Sequence, residues 1–520
     1  MLLNSHNVRW LLLASVAGLS LPSCGGRSGI PEGDGTEPLI PCASASDCFD
    51  GNFCATKACV NGYCKTVSKV SCNDGDACTS DACEPSTGEC VFQPRVSDAD
   101  GDGYLGALPG TVPGAADACG NDCNDADPKT YPGATEICDG QDNNCDGSID
   151  EGVNAYNPLI SPIRISDSSF DLGGVNGLAF GSNRFGITWT GQQNGKNYQG
   201  YASGYDIFGF QQFSTTNISQ TSNDSFAGPL VWNGSKFATA WEVRAEKGYD
   251  IVFNQLDGSG QKLGPDVRIS NNFGFSVQPA LLWNGLEYWV VWSDDNGGDF
   301  FQIFGRKVNE SGQLGPTNEL SPLMNDARSP VVVQSPTSPL LVYLSATTQR
   351  VMGQPLSKDL TRSESPVYIS DTGASGFSVA RVGDRFIVVW SIERDYVGPS
   401  IWGASIDGLG NILVPARPLT QGANFSRAPS VESLGDRFAL AWADDRLKYG
   451  HYGIRLSTFD VNLNPLSAVT TLVESDFDCI DPGLAVGGSG MALVYRERTN
   501  GDVGQPYFLP LACAGNHLPY

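Results

Sequence analysis

Carboxylate and amide side chains recur at alternate positions in two short acidic segments. The segments are Asp98-Ala99-Asp100-Gly101-Asp102-Gly103 and Asp142-Asn143-Asn144-Cys145-Asp146-Gly147. Alternation directs the oxygens at positions 1, 3 and 5 toward one centre, and glycine at position 6 permits the sharp turn of a calcium loop. After the second segment Glu151 stands at position 10 rather than 12, so an EF-hand with flanking helices is not implied.

A third, less regular group of oxygen ligands lies between these two segments and consists of Asp122, Asn124, Asp125 and Asp127. Residues 98–151 contain 13 acidic residues and one basic residue, and a hard cation would remove the repulsion among them. We therefore predict Ca²⁺ as the cofactor, with no organic cofactor; a solvated acidic linker and another metal are the alternatives. The predicted ligands are Asp98, Asp100, Asp102, Asp122, Asn124, Asp125, Asp127, Asp142, Asn144, Asp146, Asp150 and Glu151.

The order of motifs in this segment resembles a known bacterial family. The motifs are D-x-D-G-D-G-Y, D-C-N-D-x-D, Y-P-G-A-x-E at residues 131–136, and C-D-G-x-D-N-x-C-D-G-x-x-D-E-G. They resemble the MopE-type metal-binding motif family, which is named after a copper-binding surface protein. The segment has no His, Met or Trp, and oxygen ligands suit calcium, so copper is not carried over.

Nine cysteines lie between residues 42 and 90, with few aliphatic residues among them. Such a segment cannot bury a core, so cross-links must hold it together. Zinc knuckles are the alternative, but most of the cysteine spacings are wider than zinc ligation favours and the segment has no His. We predict disulfides, and expect Cys42 to be free, linked to another chain or paired with the next module. A further disulfide is predicted between Cys479 and Cys513.

The beginning of the chain has the features of an export signal. Arg9 precedes an apolar run at residues 10–21, too short to span a membrane. The run ends in Leu21-Pro22-Ser23-Cys24, which resembles a bacterial lipobox with an unusual proline. We expect lipidation of Cys24 and anchoring to the bacterial outer membrane or cell surface, with a plain cleaved signal as the alternative.

Composition agrees with export and limits the partners. The 16 cysteines suit an oxidising compartment. The net charge is −25, and 17 of these negative charges lie in residues 25–152. Nucleic acid is therefore excluded as a partner, and we expect contact with a membrane only through the lipid anchor.

A repeat of 47 to 53 residues dominates the rest of the chain. Each unit has a strand, a tight turn and a second strand ending in an aromatic residue. Those aromatic residues are Trp189, Trp241, Trp292, Tyr343, Trp390, Trp442 and Tyr495. Two further strands follow in each unit, which is typical of a β-propeller blade; a solenoid is the alternative.

The last unit has only three predicted strands, at residues 483–486, 491–496 and 505–511. The missing strand matches residues 163–166, before the first unit, so strand donation could close a ring. The units also resemble secreted bacterial repeat proteins with a V-V-W-x-D-x-R theme, as at residues 441–446. We predict an all-β fold: a seven-bladed β-propeller closed by strand donation, preceded by a disulfide-rich, calcium-loop stalk.

Charged residues follow the aromatic position in several units and are expected to converge on one propeller face. They are Glu242, Arg244, Asp294, Asp295, Glu393, Arg394, Asp444, Asp445, Arg446, Arg496, Glu497 and Arg498. Ordinary solvated loops or ion pairs between blades are the alternative interpretations of these charges. We predict that this face binds a glycan or protein and that the chain is not an enzyme. A hydrolase or lyase using acids such as Asp294 and Asp444, or a purely structural surface protein, are the alternative functions.

These predictions divide the chain into six parts. They are a signal peptide at 1–24, a tether at 25–41, a Cys-rich module at 42–95, an acidic metal-binding module at 96–153, the propeller at 154–515 and a tail at 516–520.

Overall fold

The computed structural model describes residues 40–115, 117–136, 141–147, 156–167, 170–322, 326–335, 338–394, 397–420, 425–448, 451–487, 490–498 and 504–513. The chain divides into two compact units, Met1–Arg95 and Val96–Tyr520. Cys24, Asp150 and Glu151, which carry predicted roles, lie outside the described residues. Within the described ranges, no helix is long and apolar enough to cross a membrane.

The first unit is held by disulfides around two hairpins. Its elements are a 3-10 helix at Ala45–Cys48 and strands β1 (Ala55–Val60), β2 (Tyr63–Lys69), β3 (Thr79–Cys83) and β4 (Cys90–Pro94). β1 pairs with β2 and β3 with β4. The described disulfide pairs are Cys42–Cys59, Cys48–Cys64, Cys54–Cys83 and Cys72–Cys90. The prediction of disulfides is therefore confirmed. The expectation that Cys42 lacks a partner in its own module is wrong, because Cys42 pairs with Cys59.

From residue 156 onward, the second unit consists of sheets whose strands are almost all antiparallel. One four-stranded sheet contains β7 (Phe170–Gly181), β8 (Arg184–Gln193), β9 (Gln199–Tyr205) and β10 (Gln211–Asn217). A nine-stranded sheet contains β11 (Ser225–Phe226), β12 (Leu230–Trp232), β13 (Phe237–Ala245), β14 (Gly248–Leu256), β15 (Val267–Arg268), β16 (Gly274–Trp283), β17 (Tyr288–Asp294), β18 (Gln302–Val308) and β19 (Leu314–Glu319). Its two halves are joined by a short parallel pairing of β14 with β16.

Three more four-stranded sheets follow along the chain. The first contains β20 (Ala327–Val333), β21 (Leu340–Ser345), β22 (Arg350–Pro355) and β23 (Val367–Tyr368). The second contains β24 (Ala374–Val382), β25 (Arg385–Arg394), β26 (Val397–Ile406) and β27 (Ile412–Pro418). The third contains β28 (Ser426–Ser433), β29 (Arg437–Lys448), β30 (His451–Asp460) and β31 (Thr470–Val473).

The last sheet combines strands from both ends of the unit. Its strands are β32 (Asp478–Gly487), β33 (Gly490–Arg498), β34 (Gly504–Cys513), β5 (Tyr156–Pro158) and β6 (Ile163–Arg164). β5 and β6 both pair antiparallel with β34, and Ile163 lies opposite Phe508. The pairing predicted for residues 163–166 is thus present, at residues 163–164.

The second strand of each four-stranded portion is largely buried. β17, with the sequence Tyr-Trp-Val-Val-Trp-Ser-Asp, is buried at every position. Such a continuous apolar run is typical of a strand covered on both faces. All seven recurring aromatic residues lie on these second strands and are at most 2 % exposed, which identifies them as packing residues between sheets.

The first strands of the four-stranded portions contact one another in succession. Their order is β7, β12, β16, β20, β24, β28 and β32, and β32 contacts β7. We call this set the inner strands. Most of them contain a β-bulge, and in four of them a non-glycine residue with positive φ precedes a proline within the bulge. Those residues are Gln278, Ser329, Ala428 and Asp481.

The predicted disulfide between Cys479 and Cys513 is wrong. Cys479 is free and buried, and Cys513 is disulfide-bonded but not to Cys479. Cys479 lies level with Glu497 and Gln505, whereas Cys513 lies eight residues beyond Gln505 on β34. At about 3.3 Å per residue this separation is roughly 26 Å, far beyond the ~7 Å limit between Cα atoms that a disulfide requires.

Candidate metal centre and candidate ligand sites

The segment Asp98–Tyr104 folds into a tight loop closed by its own carboxylates. Asp98 accepts hydrogen bonds from the N–H groups of Gly101 at 2.7 Å and Gly103 at 3.1 Å. Asp100 accepts from Asp102 N–H, and Asp102 accepts from Tyr104 N–H. Gly101 and Gly103 have φ values of 85° and 100°, a region that favours glycine. This is the turn that the glycine spacing predicts.

A second chain segment brings Asp122 and Asp125 to this loop. A parallel bridge joins Gly106 to Asp122, and Asp125 accepts a hydrogen bond from Ala99 N–H at 2.8 Å. Oxygens of Asp98, Asp100 and Asp125 lie within 4.8 Å of one another, as do oxygens of Asp100, Asp102 and Asp122. We call these five aspartates the acidic centre. The sequence pattern placed them in separate groups, and the fold joins them through the shared Asp100.

The acidic centre contains carboxylate oxygens with no partner in the described residues. Oδ2 of Asp100, Asp102 and Asp122 is buried without a hydrogen bond, and Asp122 is 1 % exposed. Burial and the neighbouring carboxylates raise the pKa of Asp100 and Asp122 above the ordinary range. Buried polar atoms are normally satisfied, and a cation at the shared oxygens would satisfy these three.

The loop at Asp142–Gly147 repeats the hydrogen-bond pattern of the first loop. Gly147 N–H donates to Asp142 at 2.7 Å, and Asp146 N–H donates to Asn144 Oδ1 at 2.9 Å. The disulfide Cys123–Cys145 joins this loop to the segment that carries Asp122. The two predicted loops therefore share one backbone geometry and are covalently linked through that segment.

Two predicted ligands from the third group do not reach the acidic centre. The Asn124 side-chain amide donates to Gln141 Oε1 at 3.1 Å, and Asp127 accepts from Lys129 N–H at 3.2 Å. The Asn124 side chain therefore contacts the residue that precedes the second loop, and Asp127 stabilises a local turn. The Asp127 oxygens are absent from the carboxylate groupings found among the described residues.

Asp294 and Asp444, two members of the predicted ligand face, are buried structural residues. Asp294 is 1 % exposed and accepts from Trp292 Nε1 at 2.8 Å and Ser276 Oγ at 2.6 Å. Asp444 is fully buried and accepts from Trp442 Nε1 at 2.8 Å. Each carboxylate satisfies a buried indole N–H, which needs an acceptor. Asp294 also lines a cavity of about 310 Å³, so its role as a ligand residue stays a prediction.

Asp444 also neutralises a buried arginine. Arg455 is completely buried, with its guanidinium 3.1 Å from Asp444 and 2.8 Å from Glu474. Arg446 pairs with Asp444 at 2.6 Å. In the paired-acid hydrolase mechanism suggested for Asp294 and Asp444, the carboxylate of Asp444 is therefore already engaged by two arginines.

Glu242, on β13, belongs to a set of hydrogen bonds that join neighbouring sheets near the inner strands. It accepts from Gln278 N–H at 2.7 Å, and Gln278 Oε1 accepts from Ser329 N–H at 2.8 Å. Equivalent bonds run from Ala227 N–H to Thr190 Oγ1, from Val431 N–H to Ser378 Oγ and from Leu484 N–H to Ser430 Oγ. The side chains thereby satisfy N–H groups at or just beyond the bulges.

The other predicted face residues are dispersed among local contacts. Arg244 is exposed and pairs with Asp224 at 3.3 Å, and Arg496 pairs with Asp481 at 2.7 Å. Asp295 accepts a hydrogen bond from Phe275 N–H, and Asp445 accepts one from Phe425 N–H. Glu497 accepts from Ser475 Oγ at 2.6 Å. Arg498 is partly buried on β33. The side chains of Glu393 and Arg394 fall outside those that the structure describes.

A cavity of about 390 Å³ lies among four inner strands and was not predicted. Its walls include Asn176 on β7, Gly376 and Phe377 on β24, the segment 428–430 on β28 and the segment 481–484 on β32. The signal in the sequence was faint: a small or polar residue beside a proline or glycine, once per repeat. Without knowledge of the strand register, no sequence pattern shows that these positions of four different strands lie around one cavity.

Comparison with solved structures identifies propeller-like relatives of low similarity. The Dos1 propeller has 11% identity and a TM-score of 0.42, covering 68% of this chain and 96% of that chain. The β-propeller domain of the Trilobed protease from Pyrococcus furiosus has 10% identity and a TM-score of 0.39, with coverages of 65% and 95%. The α-L-arabinofuranosidase from Lactobacillus brevis has 13% identity and a TM-score of 0.32, with coverages of 45% and 90%.

The expectation that the chain is not an enzyme is corrected by this comparison. Structures similar to it include α-L-arabinofuranosidases and a phage endosialidase. At these identities and TM-scores they assign no activity to this chain either. The non-enzymatic interpretation is therefore withdrawn, and no catalytic assignment replaces it.

Comparison with sequence families bears on two short segments. No curated protein matches the chain. A family model described as a Dictyostelium (slime mold) repeat matches residues 71–94, within the Cys-rich module. The model of the MopE-type family, described as "Putative metal-binding motif", matches residues 122–151. The resemblance of this segment to a metal-binding motif is confirmed, and it covers Asp122 and Asp125 of the acidic centre.

Proposed function

We propose that this chain is an exported, lipid-anchored surface protein in which a calcium-stabilised acidic module precedes a seven-bladed propeller that recognises a glycan or protein. The observation that carries the proposal is the acidic centre, where three buried carboxylate oxygens share one region without a hydrogen-bond partner. Such a centre would be held together by a bound cation.

The chemistry of the ligands supports calcium as that cation. Asp98, Asp100, Asp102, Asp122 and Asp125 offer only carboxylate oxygens, and Ca²⁺ takes six to eight oxygen ligands in flexible geometries. Soft metals favour thiolates and imidazoles, and the nearest cysteines, Cys123 and Cys145, are paired in a disulfide.

A closed seven-bladed ring is supported by the contacts of the inner strands. The nine-stranded sheet counts as two blades, because its halves are joined only through two residue pairs of β14 and β16. The last blade draws its outer strands from β5 and β6, and β32 contacts β7. Closure of this kind leaves few exposed sheet edges, which a secreted β protein needs to avoid aggregation.

Export and lipid anchoring rest on the sequence alone. The lipobox-like segment at residues 21–24 and the disulfides of the first unit support them. Palmitate labelling of the full chain in a bacterial host, with Cys24→Ala as the control, tests the anchor. Incorporation into the parent chain is expected, and equal labelling of both chains would contradict it.

Calcium titration of the full chain tests the acidic centre. We expect calorimetric binding that is weakened at least tenfold by Asp100→Asn or Asp122→Asn, because each removes a ligand charge from the shared oxygens. Asp127→Asn is the matched control, since Asp127 lies in the same acidic module but outside the centre. If all three variants bind calcium like the parent chain, the acidic centre is not the site.

Recognition by the propeller is tested by affinity electrophoresis of the full chain in gels containing dextran, arabinan, galactomannan or polygalacturonate. Retardation by at least one polysaccharide is expected. A chain that no polysaccharide retards would argue against glycan recognition.

A further inference from the structure

The cavity among the inner strands has the features of a ligand site that the predicted loop face lacks. We propose that this cavity is the ligand site of the propeller and that it takes a neutral, hydroxyl-rich molecule such as the terminal residue of a saccharide. The proposal deepens the recognition function above and rests on it. A volume of about 390 Å³ is within the range of small-molecule sites.

The cavity is open because two of its walls lack side chains that could fill it. A Cβ added to Gly376 would meet nothing within 4 Å, and the backbone there is not in the left-handed region. Ala428 contributes only a methyl group at its bulge. At the equivalent bulge on β16, Gln278 has a longer side chain, and its Oε1 accepts a hydrogen bond from the Ser329 N–H. The space is therefore confined to the side formed by β24, β28, β32 and β7.

Adjacent donors and acceptors line one wall of the cavity. The bulge on β32 holds Asp481 at φ 54°, where its carboxylate is exposed and pairs with Arg496 at 2.7 Å. Asn176 is exposed, and its Oδ1 accepts from Thr190 Oγ1 at 2.8 Å. This bond leaves the amide N–H groups of Asn176 for a ligand. Left-handed non-glycine residues such as Asp481 cost backbone energy and cluster at binding sites.

The charge of the cavity selects the class of ligand. Asp481 is the one ionisable residue among the described lining residues, and Arg496 neutralises it. An ionic ligand would find no unpaired countercharge, whereas hydroxyl groups can accept from the Asn176 amide and donate to the Asp481 carboxylate. Phe377, Pro429 and Pro482 supply apolar surface for the C–H face of a sugar ring.

The test uses the full chain with D-glucose, D-galactose, D-mannose and L-arabinose, and with D-glucuronic acid and D-glucosamine as charged counterparts. Binding is followed by saturation-transfer NMR and calorimetry. We expect at least one neutral sugar to bind, and the charged sugars to bind at least tenfold more weakly. Equal binding of glucuronic acid or glucosamine would overturn the neutral class of ligand.

Three variants locate the site. Gly376→Leu fills the cavity and is expected to reduce binding more than tenfold. Gly174→Leu is the matched control, since Gly174 also lies on an inner strand with open space around it but does not line the cavity. Asp481→Asn keeps a residue that tolerates the left-handed region and is expected to weaken binding at least fivefold.

The outcomes separate this inference from the recognition function. If Gly376→Leu, shown to be folded by its melting curve, is retarded by the same polysaccharide as the parent chain, the cavity is not the site and recognition lies elsewhere. If the parent chain is retarded by no polysaccharide and binds no sugar, the recognition function fails with it. Loss of sugar binding in both glycine variants would indicate disruption of the ring and would overturn the cavity assignment.

Discussion

At the scale of single residues, the buried aspartates after two of the repeated tryptophans show that a charged residue in the sequence need not belong to a ligand site. Trp292 and Trp442 are buried in the sheets, and each indole N–H is bonded to the aspartate two positions later. In the sequence, W-x-D looks like the start of a polar loop. The strand in fact continues through Asp294 in β17 and Asp444 in β29, so these carboxylates stay inside.

Asp444→Ala is expected to destabilise the second unit by about 3–5 kcal/mol, because it leaves the buried Arg455 with Glu474 as its acidic partner. Arg244→Ala, which removes a surface ion pair, should change stability by less than ~1 kcal/mol. Urea unfolding of both variants measures the difference. Equal losses in the free energy of unfolding of the two variants would show that burial of Arg455 does not determine the destabilisation.

Glu432 is a carboxyl at a position that is otherwise apolar. The register places it opposite Ala439, three residues before the recurring aromatic of that strand. Its equivalents on the other inner strands are Ala179, Val231, Leu282, Val333, Ala380 and Ala485. Burial raises the pKa of Glu432 from its ordinary 4.5 to about 7.

This shift predicts a pH-dependent stability. Below pH 4.5 the carboxyl is protonated in both states and contributes no penalty. As the pH rises from 4.5 to 7 the unfolded chain loses the proton first, so the folded state is progressively destabilised. At pH 8 we expect Glu432→Gln to be more stable than the parent chain by about 2 kcal/mol, a value reduced for the partial exposure of the side chain.

Melting of parent and Glu432→Gln chains at pH 4 and pH 8 measures this effect. The two chains should melt alike at pH 4 and separate at pH 8. A constant difference at both pH values would show that the effect of the substitution is steric rather than electrostatic.

At the scale of elements, the acidic module is organised by how two loops are tied together. The disulfide Cys123–Cys145 connects the neighbour of Asp122 to the middle of the Asp142–Gly147 loop. With few apolar residues available, this cross-link and the hydrogen bonds of the carboxylates hold the loops in place. Metal affinity should therefore depend on a bond that includes no proposed ligand.

Replacing Cys123 and Cys145 by serine is expected to weaken calcium binding about tenfold, because the ligands from Asp122 and Asp125 are then less well ordered before binding. Replacing Cys72 and Cys90, a disulfide in the other unit, is the matched control and should leave the calcium affinity unchanged. Calorimetric titration of both double variants with calcium measures the two affinities. Unchanged affinity in the first would show that the loops are ordered without the cross-link.

At the scale of the whole molecule, stability of the proposed ring depends on strands that are far apart in the chain. Ile165 follows β6, is 5 % exposed, and donates its N–H to Pro506 O at 2.9 Å. It packs with residues of the first and last sheets, including Phe185 and Phe508. A change at Ile165 should therefore affect the propeller as one cooperative unit.

Ile165→Asp is expected to lower the free energy of unfolding by on the order of 3 kcal/mol or more, because it places an unpaired charge in this core. Ile160→Asp, at a side chain that is 39 % exposed, should have a small effect. Denaturant unfolding followed by tryptophan fluorescence reports on the sheets that contain Trp189, Trp241, Trp292, Trp390 and Trp442, and circular dichroism reports on the sheets without tryptophan. Loss of only a minor part of the transition would contradict closure through residues 156–165.

The sequence by itself determined the repeat, the all-β class, the metal-binding motif and the disulfide module, because each is encoded in local spacing. Aromatic residues that recur about every 50 positions, D-x-D-x-D-G loops and closely spaced cysteines can be recognised without knowing which residues lie near one another in space. Only the tertiary structure decided which aspartates meet, that Cys479 and Cys513 lie at opposite ends of a sheet, and that Asp294 and Asp444 face inward. Those facts depend on strand register and bulges, which set the position of a side chain across sheets and leave no local pattern.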